Sequence, residues 1–318
     1  MHFSDLQNNT TSPCLQASIR EAVSFKGIGV FSGKKSRITL FPEGENSGIV
    51  FRKNGSPRNY CKAKASNVVA TNRTTTLQQS GNTFVMVEHL LSALSGMGIS
   101  NCTIEIDGDE VPMLDGSAKE YVEAIHSGLK QEQSPKNVYI VERPLYVQRG
   151  DSYIAILPAK DSSISYSLSY PGHQVLDLQH FSMRLDQSIY KKEVASARTF
   201  ILEKEYASLV RSGALKSEQL DAGVVVGDCG PIAGSLFRYD TEPARHKVLD
   251  LIGDLSLAPP FQGHVIASKS GHSLNVAMAR VLEDLIQGKR GSKSLPFECN
   301  KSLSFKRSEN KRMNIRAS

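Results

Sequence analysis

At 318 residues, with 40% hydrophobic and 22% charged content, the chain has the composition of a globular protein long enough for two domains. It has no apolar run near the roughly 20 residues that span a bilayer, and its five cysteines lack any CxxC pair, which argues against a disulfide framework or a thiolate metal site. The net charge of +6 sits at one end: residues 289–318 carry nine Lys and Arg against Glu298 and Glu309, so that stretch holds +7 and the rest −1, which disfavours a nucleic-acid-binding body.

The first residues lack the basic and apolar regions of a secretory signal, so 1–16 reads as a disordered lead-in and the expected compartment is the cytoplasm. Residues 18–60 then read as short strands, with Gly27, Gly29 and Gly33 marking turns. Residues 87–97 place Leu90, Leu91, Leu94 and Met97 on one helical face, with Gly98 as the C-terminal cap. A strand at 101–107 and a helix at 118–125 follow. The polar stretch 131–137, with Pro135, reads as a linker between domain I (17–130) and domain II (137–288).

Beyond it the pattern restarts. Strands are expected at 138–141, 145–147, 153–157 and 164–170, then helices at 203–211 and 241–255, the second with Thr241 as N-cap and Pro243 in its first turn. A strand at 264–268 and a helix at 276–286 close the domain, the helix turning Met278, Val281, Leu282 and Leu285 inward. Both halves run strands, helix, strand, helix. That order predicts an α+β protein of two similar domains, with the active groups where they meet. The Ser- and Asn-rich segment 289–318 reads as a basic disordered tail, solvated or in weak contact with anionic surfaces.

His246, Asp250 and Asp254 recur every four residues, which on a helix advances about 40° per step and makes one polar stripe. Val248, Leu251, Ile252 and Leu255 cover the far side. Taken alone, the stripe also fits a solvated surface helix. Glu88 and His89 open the 87–97 helix, and neighbouring helical side chains diverge by about 100°, so the His can ligate while the Glu addresses a water. A half-buried structural His is the plain alternative. His89, His246 and Asp250 together make three ligands for a tetrahedral Zn²⁺ with one open position, the catalytic pattern. Lys247 can meet an anionic group. His272, in Gly271-His272-Ser273-Leu274-Asn275, reads as a turn residue placed to donate a proton, with Asp254 holding its cation. Thr199 and Phe200 offer a hydroxyl and an aromatic just before a helix, although Phe200 also suits core packing.

Five ordered motifs carry a family resemblance: Val87-Glu88-His89-Leu90, Pro112-Met-Leu-Asp-Gly-Ser117-Ala, Ser196-Ala-Arg-Thr-Phe200, Arg245-His-Lys-Val-Leu-Asp250-Leu-Ile-Gly-Asp254-Leu and Ser270-Gly-His-Ser-Leu-Asn275. From about Ala17 to Gly288 the chain resembles the UDP-3-O-acyl-N-acetylglucosamine deacetylases, zinc amidases at the committed step of lipid A synthesis. The resemblance implies a β-α-α-β sandwich. It implies one zinc ion on His89, His246 and Asp250, Glu88 as general base, and His272 as general acid partnered by Asp254. It also implies Thr199 beside the oxyanion, Lys247, Phe200 and Tyr170 as substrate contacts, and 201–226 as an insert forming a hydrophobic passage for the acyl chain. The partner so implied is the acylated UDP-sugar, not nucleic acid, and the expected state is a monomer.

The chain departs from the family pattern at Phe31, where a His is usual, at Ser217-Glu218-Gln219, which replaces a Gly-Gly-Ser turn, and at Ser169-Tyr170. Two other readings therefore stay open. One is a zinc amidase on a different N-acetylated sugar nucleotide; the other is a catalytically weak relative acting as a binding protein.

Overall fold

The computed structural model describes residues 14–55, 60–215, 222–232 and 234–288. The tail at 289–318, Ser217–Gln219 and all but the end of the 1–16 lead-in lie outside the described residues.

The first half contains β1 (Leu15–Ile19), β2 (Val23–Ile28), β3 (Lys35–Pro42), β4 (Ile49–Lys53), β5 (Tyr60–Lys62), β6 (Val68–Ala70), β7 (Thr76–Gln79), β8 (Asn82–Val85), helix α1 (Glu88–Gly96), β9 (Cys102–Asp107), α2 (Lys119–Ser127) and β10 (Leu129–Pro135). The second half contains β11 (Tyr139–Ile140), β12 (Leu145–Arg149), β13 (Ser152–Leu157), β14 (Ser163–Leu168), β15 (Gln179–Arg184), α3 (Gln187–Glu193), β16 (Phe200–Leu202), α4 (Glu203–Arg211), β17 (Val224–Gly227), β18 (Gly230–Pro231), α5 (Glu242–Leu255), β19 (Phe261–Gln262), β20 (His264–Ser268) and α6 (His272–Ile286).

The duplication is explicit in the sheets. One orders its strands β2-β3-β9-β4-β5 and the other β12-β13-β20-β14-β15. In each, the late strand is antiparallel to the second strand and parallel to the third. A helix precedes that late strand and another follows it, so α1 and α2 correspond to α5 and α6. Alternation makes each sheet one-sided: Ile38 and Leu40 of β3 are buried between exposed Arg37 and partly exposed Thr39 and Phe41 neighbours, as Ile164, Tyr166 and Leu168 are on β14. α5 packs on β14 and β15, α6 on β12 and β13, and α5 lies against α1 of the other half. The two α+β halves thus meet helix layer to helix layer, with one continuous core.

Several expectations need correction. The stretch read as a linker is largely β10, which pairs antiparallel with β1, and β1 itself begins inside the stretch read as lead-in. A polar strand ending in Pro has the composition of a linker, and an edge ribbon tolerates Pro at its end. The last helix starts four residues early, so His272 heads α6 and does not sit in a turn; Ser273 and Asn275, weak helix formers, hide the true start. Thr241 is the N-cap of α5 by position, but its hydroxyl accepts from Arg245 Nε and makes no cap bond. Helix α3, capped by Asp186 on Ser188 and Ile189, was not foreseen.

Candidate active site

α1 enters from β8 through Met86, whose φ of 63° turns the chain so that Glu88 and His89 are the first two helical residues. Opposite, α5 presents the stripe foreseen from its spacing, but that stripe is not solvated: His246, Asp250 and Asp254 are 1%, 2% and 0% exposed. Both faces of α5 are therefore buried, one in its own sheet and one against α1. Gly253 allows the approach, because a Cβ there would lie 2.1 Å from the Glu88 carbonyl oxygen.

His89 Nε2 lies 3.5 Å and His246 Nε2 3.3 Å from Asp250 Oδ1. One ligand atom from each residue falls within 4.8 Å of the others, so the three could hold a metal ion. The His246 Nδ1–H donates to the Ala197 carbonyl at 3.1 Å, which leaves the Nε2 lone pair facing Asp250. Asp250 Oδ1 is buried without a hydrogen-bond partner, while Oδ2 accepts from Lys247 Nζ at 2.8 Å. An anionic oxygen so placed, facing two imidazole nitrogens, fits a divalent cation. Burial opposes the charge on Asp250, yet the Lys247 ammonium beside it holds its carboxyl well below the usual range; burial keeps His246 below its ordinary value.

Beside this triad, Glu88 Oε2 accepts from the Thr75 N–H at 3.0 Å and the Thr74 hydroxyl at 3.1 Å. Its Oε1 stands 3.8 Å from His272 Nε2. Burial pushes the Glu88 carboxyl up to about 7. His272 Nδ1 donates to Asp254 Oδ2 at 2.9 Å, and Asp254 also accepts from the Asn275 amide at 2.9 Å and the Thr75 hydroxyl at 2.6 Å. Burial alone would lower the His272 imidazolium, but the Asp254 carboxylate carries it up to about 10.

A cavity of ≈ 240 Å³ opens over these groups, with Glu88, His89, Asp250 and His272 on its wall. Thr199, Phe200, Tyr170 and Lys247 line it too, so the structure brings all the sequence candidates together; His246 and Asp254 are held against residues of that wall. Lys247 Nζ stands 5.7 Å over the Phe200 ring, and Phe200 meets Tyr170 edge-on at 6.2 Å. Thr199 is fixed by its N–H on the Gly116 carbonyl at 2.8 Å. Sequence reading missed Thr74, Thr75 and Gly253, and gave Asn275 no role. It also missed Arg73, a cavity-lining residue of the first half whose φ is 62° and whose guanidinium reaches Glu205 of α4 at 3.2 Å.

Three convergent donor atoms, a buried carboxylate beside them and a His–Asp couple within reach make the layout of a metal-assisted hydrolase. Comparison with known proteins narrows that class. The model of the LpxC family, UDP-3-O-acyl N-acetylglycosamine deacetylase, matches residues 16–284, and the chain belongs to this family. It is similar to the UDP-3-O-acyl-N-acetylglucosamine deacetylase of Chlamydia trachomatis serovar L2, with 37% identity over 273 residues covering 85% of this chain and 96% of the relative. The Chlamydia pneumoniae protein of the same name is 37% identical over 275 residues (85% and 98% covered), and that of Chlamydia abortus 36% over 274 (86% and 98%). Among the described residues no helix is long and apolar enough to cross a membrane.

Proposed function

We propose that the chain is a zinc-dependent deacetylase that hydrolyses the 2-acetamido group of UDP-3-O-acyl-N-acetylglucosamine, releasing acetate and the 2-amino sugar nucleotide for lipid A synthesis. The observation that carries this reading is the convergence of His89, His246 and Asp250 beside Glu88 and His272 on one cavity wall. His89, His246 and Asp250 would hold the zinc, which when bound polarises the amide carbonyl and acidifies water.

The chain's own groups do the rest. Glu88 Oε2 is occupied by Thr75 and Thr74, so Oε1 is the atom that takes a proton from the attacking water. A carboxyl raised to about 7 is a stronger base than an ordinary one, which suits that task. With Nδ1 committed to Asp254, His272 presents Nε2–H toward Glu88 Oε1 and the cavity. From there it delivers its proton to the departing sugar amine, which would otherwise leave as a poor anionic group. The Thr199 hydroxyl adds a donor for the oxyanion. Lys247, Phe200 and Tyr170 receive the sugar nucleotide, and Ile201, Leu209, Leu215 and Ala222 give the acyl chain an apolar wall.

The test is acetate release from the acylated UDP-sugar by purified protein, before and after chelation, with zinc added back. Activity that survives complete chelation, or that appears only on sugars of another class, would refute the reading.

A further inference from the structure

The turn joining β2 to β3 carries an aromatic side chain onto the cavity wall, and it is held by a carboxylate that the chemistry above does not use. Glu110 is 5% exposed. Its Oε1 accepts the Phe31 N–H at 2.9 Å and its Oε2 the Ser32 N–H at 2.9 Å. Bonds from a buried carboxylate to backbone N–H groups are among the stronger kind. Glu110 is itself anchored: it bridges to Val85, and its carbonyl accepts the Ser36 hydroxyl. The turn is shaped to this contact. A Cβ at Gly29 would crowd the Glu110 carboxylate and the Ser32 hydroxyl, so any larger residue there would push the carboxylate off the turn, and the Gly33 N–H closes the turn on the Gly29 carbonyl at 2.8 Å.

The result is a rigid perch for Val30 and Phe31, which line the same cavity as Leu209, Leu215 and Ala222 of the other half. Phe31 is 37% exposed. An aromatic side chain left partly open to water on a braced turn, lining one cavity with these apolar residues, is placed to be covered by an apolar ligand. We propose that Glu110 is a positioning residue that holds Val30 and Phe31 as the domain I wall of the apolar half of the cavity, and that Phe31 sets which acyl chains are accepted. This rests on the reading that the substrate is acylated.

The experiment compares wild type, Glu110→Gln and Phe31→Ala on the UDP-sugar carrying a long acyl chain, a short one and none. Gln keeps the volume but presents one acceptor oxygen, so one of the two N–H bonds is lost. KM for the long-chain substrate should rise roughly tenfold in Glu110→Gln and roughly fivefold in Phe31→Ala, with kcat and the unacylated substrate little changed. Amide hydrogen exchange at 29–33 should quicken roughly tenfold in Glu110→Gln alone. Equal loss of kcat on all three substrates, or unaltered exchange at Phe31 and Ser32, overturns the role of Glu110. An unchanged chain preference in Phe31→Ala, a variant at an exposed site with no folding demand, overturns that of Phe31. If wild type hydrolyses none of the substrates, the proposed function fails on its own. Amide exchange, with displacement of a fluorescent fatty acid from wild type and Phe31→Ala, then still decides this inference.

Discussion

Gly253→Ala tests whether the approach of α5 to α1 builds the site. A Cβ at this position would lie 2.1 Å from the Glu88 carbonyl oxygen, 2.9 Å from its carbon and 3.2 Å from its Cα. Close-packed atoms do not tolerate such contacts, so the helices must part by about 1 Å. Alanine gains roughly 1 kcal/mol of helix propensity over glycine, whereas overpacking costs about 1–3 kcal/mol, or more where the obstacle is backbone. Here the obstacle is backbone, which puts the cost at about 3 kcal/mol, so the clash wins by about 2 kcal/mol, a fall in melting temperature of about 4–8 °C at roughly 2–4 °C per kcal/mol. The site suffers more than the fold. His89 Nε2 faces Asp250 Oδ1 across the two helices at 3.5 Å, while His246 faces it within α5 at 3.3 Å. Ligand distances must hold to about ±0.2 Å, so a shift of about 1 Å between α1 and α5 should weaken zinc binding on the order of 10²-fold. Thermal melts with and without zinc, and competition against a chelator of known affinity, measure both effects. A variant with wild-type melting and wild-type zinc affinity would refute the reasoning.

The other expectations are simpler. His89→Ala, His246→Ala and Asp250→Ala should each abolish stoichiometric zinc and turnover while circular dichroism stays native; two variants that keep both would sink the ligand assignment. Glu88→Gln should retain zinc by metal analysis and lose roughly 10²-fold or more in kcat, whereas loss of zinc would move Glu88 into the ligand set. Asp254→Asn removes the charge that carries the His272 imidazolium from 6.5 up to about 10, so burial prevails and its pKa falls. In the proposed mechanism His272 acts in its protonated form, so the alkaline limb of kcat against pH should move to lower pH, and an unmoved limb would exclude His272 as the acid. The same pairing stabilises the fold fully below about 6.5 and is lost as pH rises through about 10, so the stability deficit of Asp254→Asn should be largest on the acid side of that window.

The α5 stripe was legible because a four-residue spacing fixes a helical face whatever surrounds it. That the stripe faces α1 and not water was not legible, since periodicity describes one helix and not its neighbours. The duplication showed in the order of elements. The entry of β9 between β3 and β4, and of β20 between β13 and β14, did not, because strand order is a property of pairing. Thr75 escaped notice for a related reason. It stands in a run of three threonines without periodic meaning, yet its N–H reaches Glu88 and its hydroxyl Asp254, a residue 179 positions away. Gly253 and Glu110 likewise act through contacts with segments remote in sequence. The 131–137 stretch shows the converse failure: its composition fits a linker, and only its partner β1 makes it a strand.

Neither half holds the site alone. The first supplies Glu88, His89 and Thr75; the second supplies His246, Asp250, Asp254 and His272. Packing them together buries three carboxylates, a state tolerated only where each is compensated. Glu88 has Thr74 and Thr75, Asp254 has His272, Asn275 and Thr75, and Asp250 has Lys247 on one oxygen. Among the described residues, Asp250 Oδ1 is the one carboxylate oxygen that is both shut off from water and without a hydrogen-bond partner, and it faces the Nε2 atoms of His89 and His246. Polar satisfaction of the carboxylates thus fails at the point where the three donor atoms converge. An uncompensated anionic oxygen costs far more than an unpaired hydroxyl, so a cation held there would do more than serve chemistry: it would neutralise the charge that the meeting of the two halves creates.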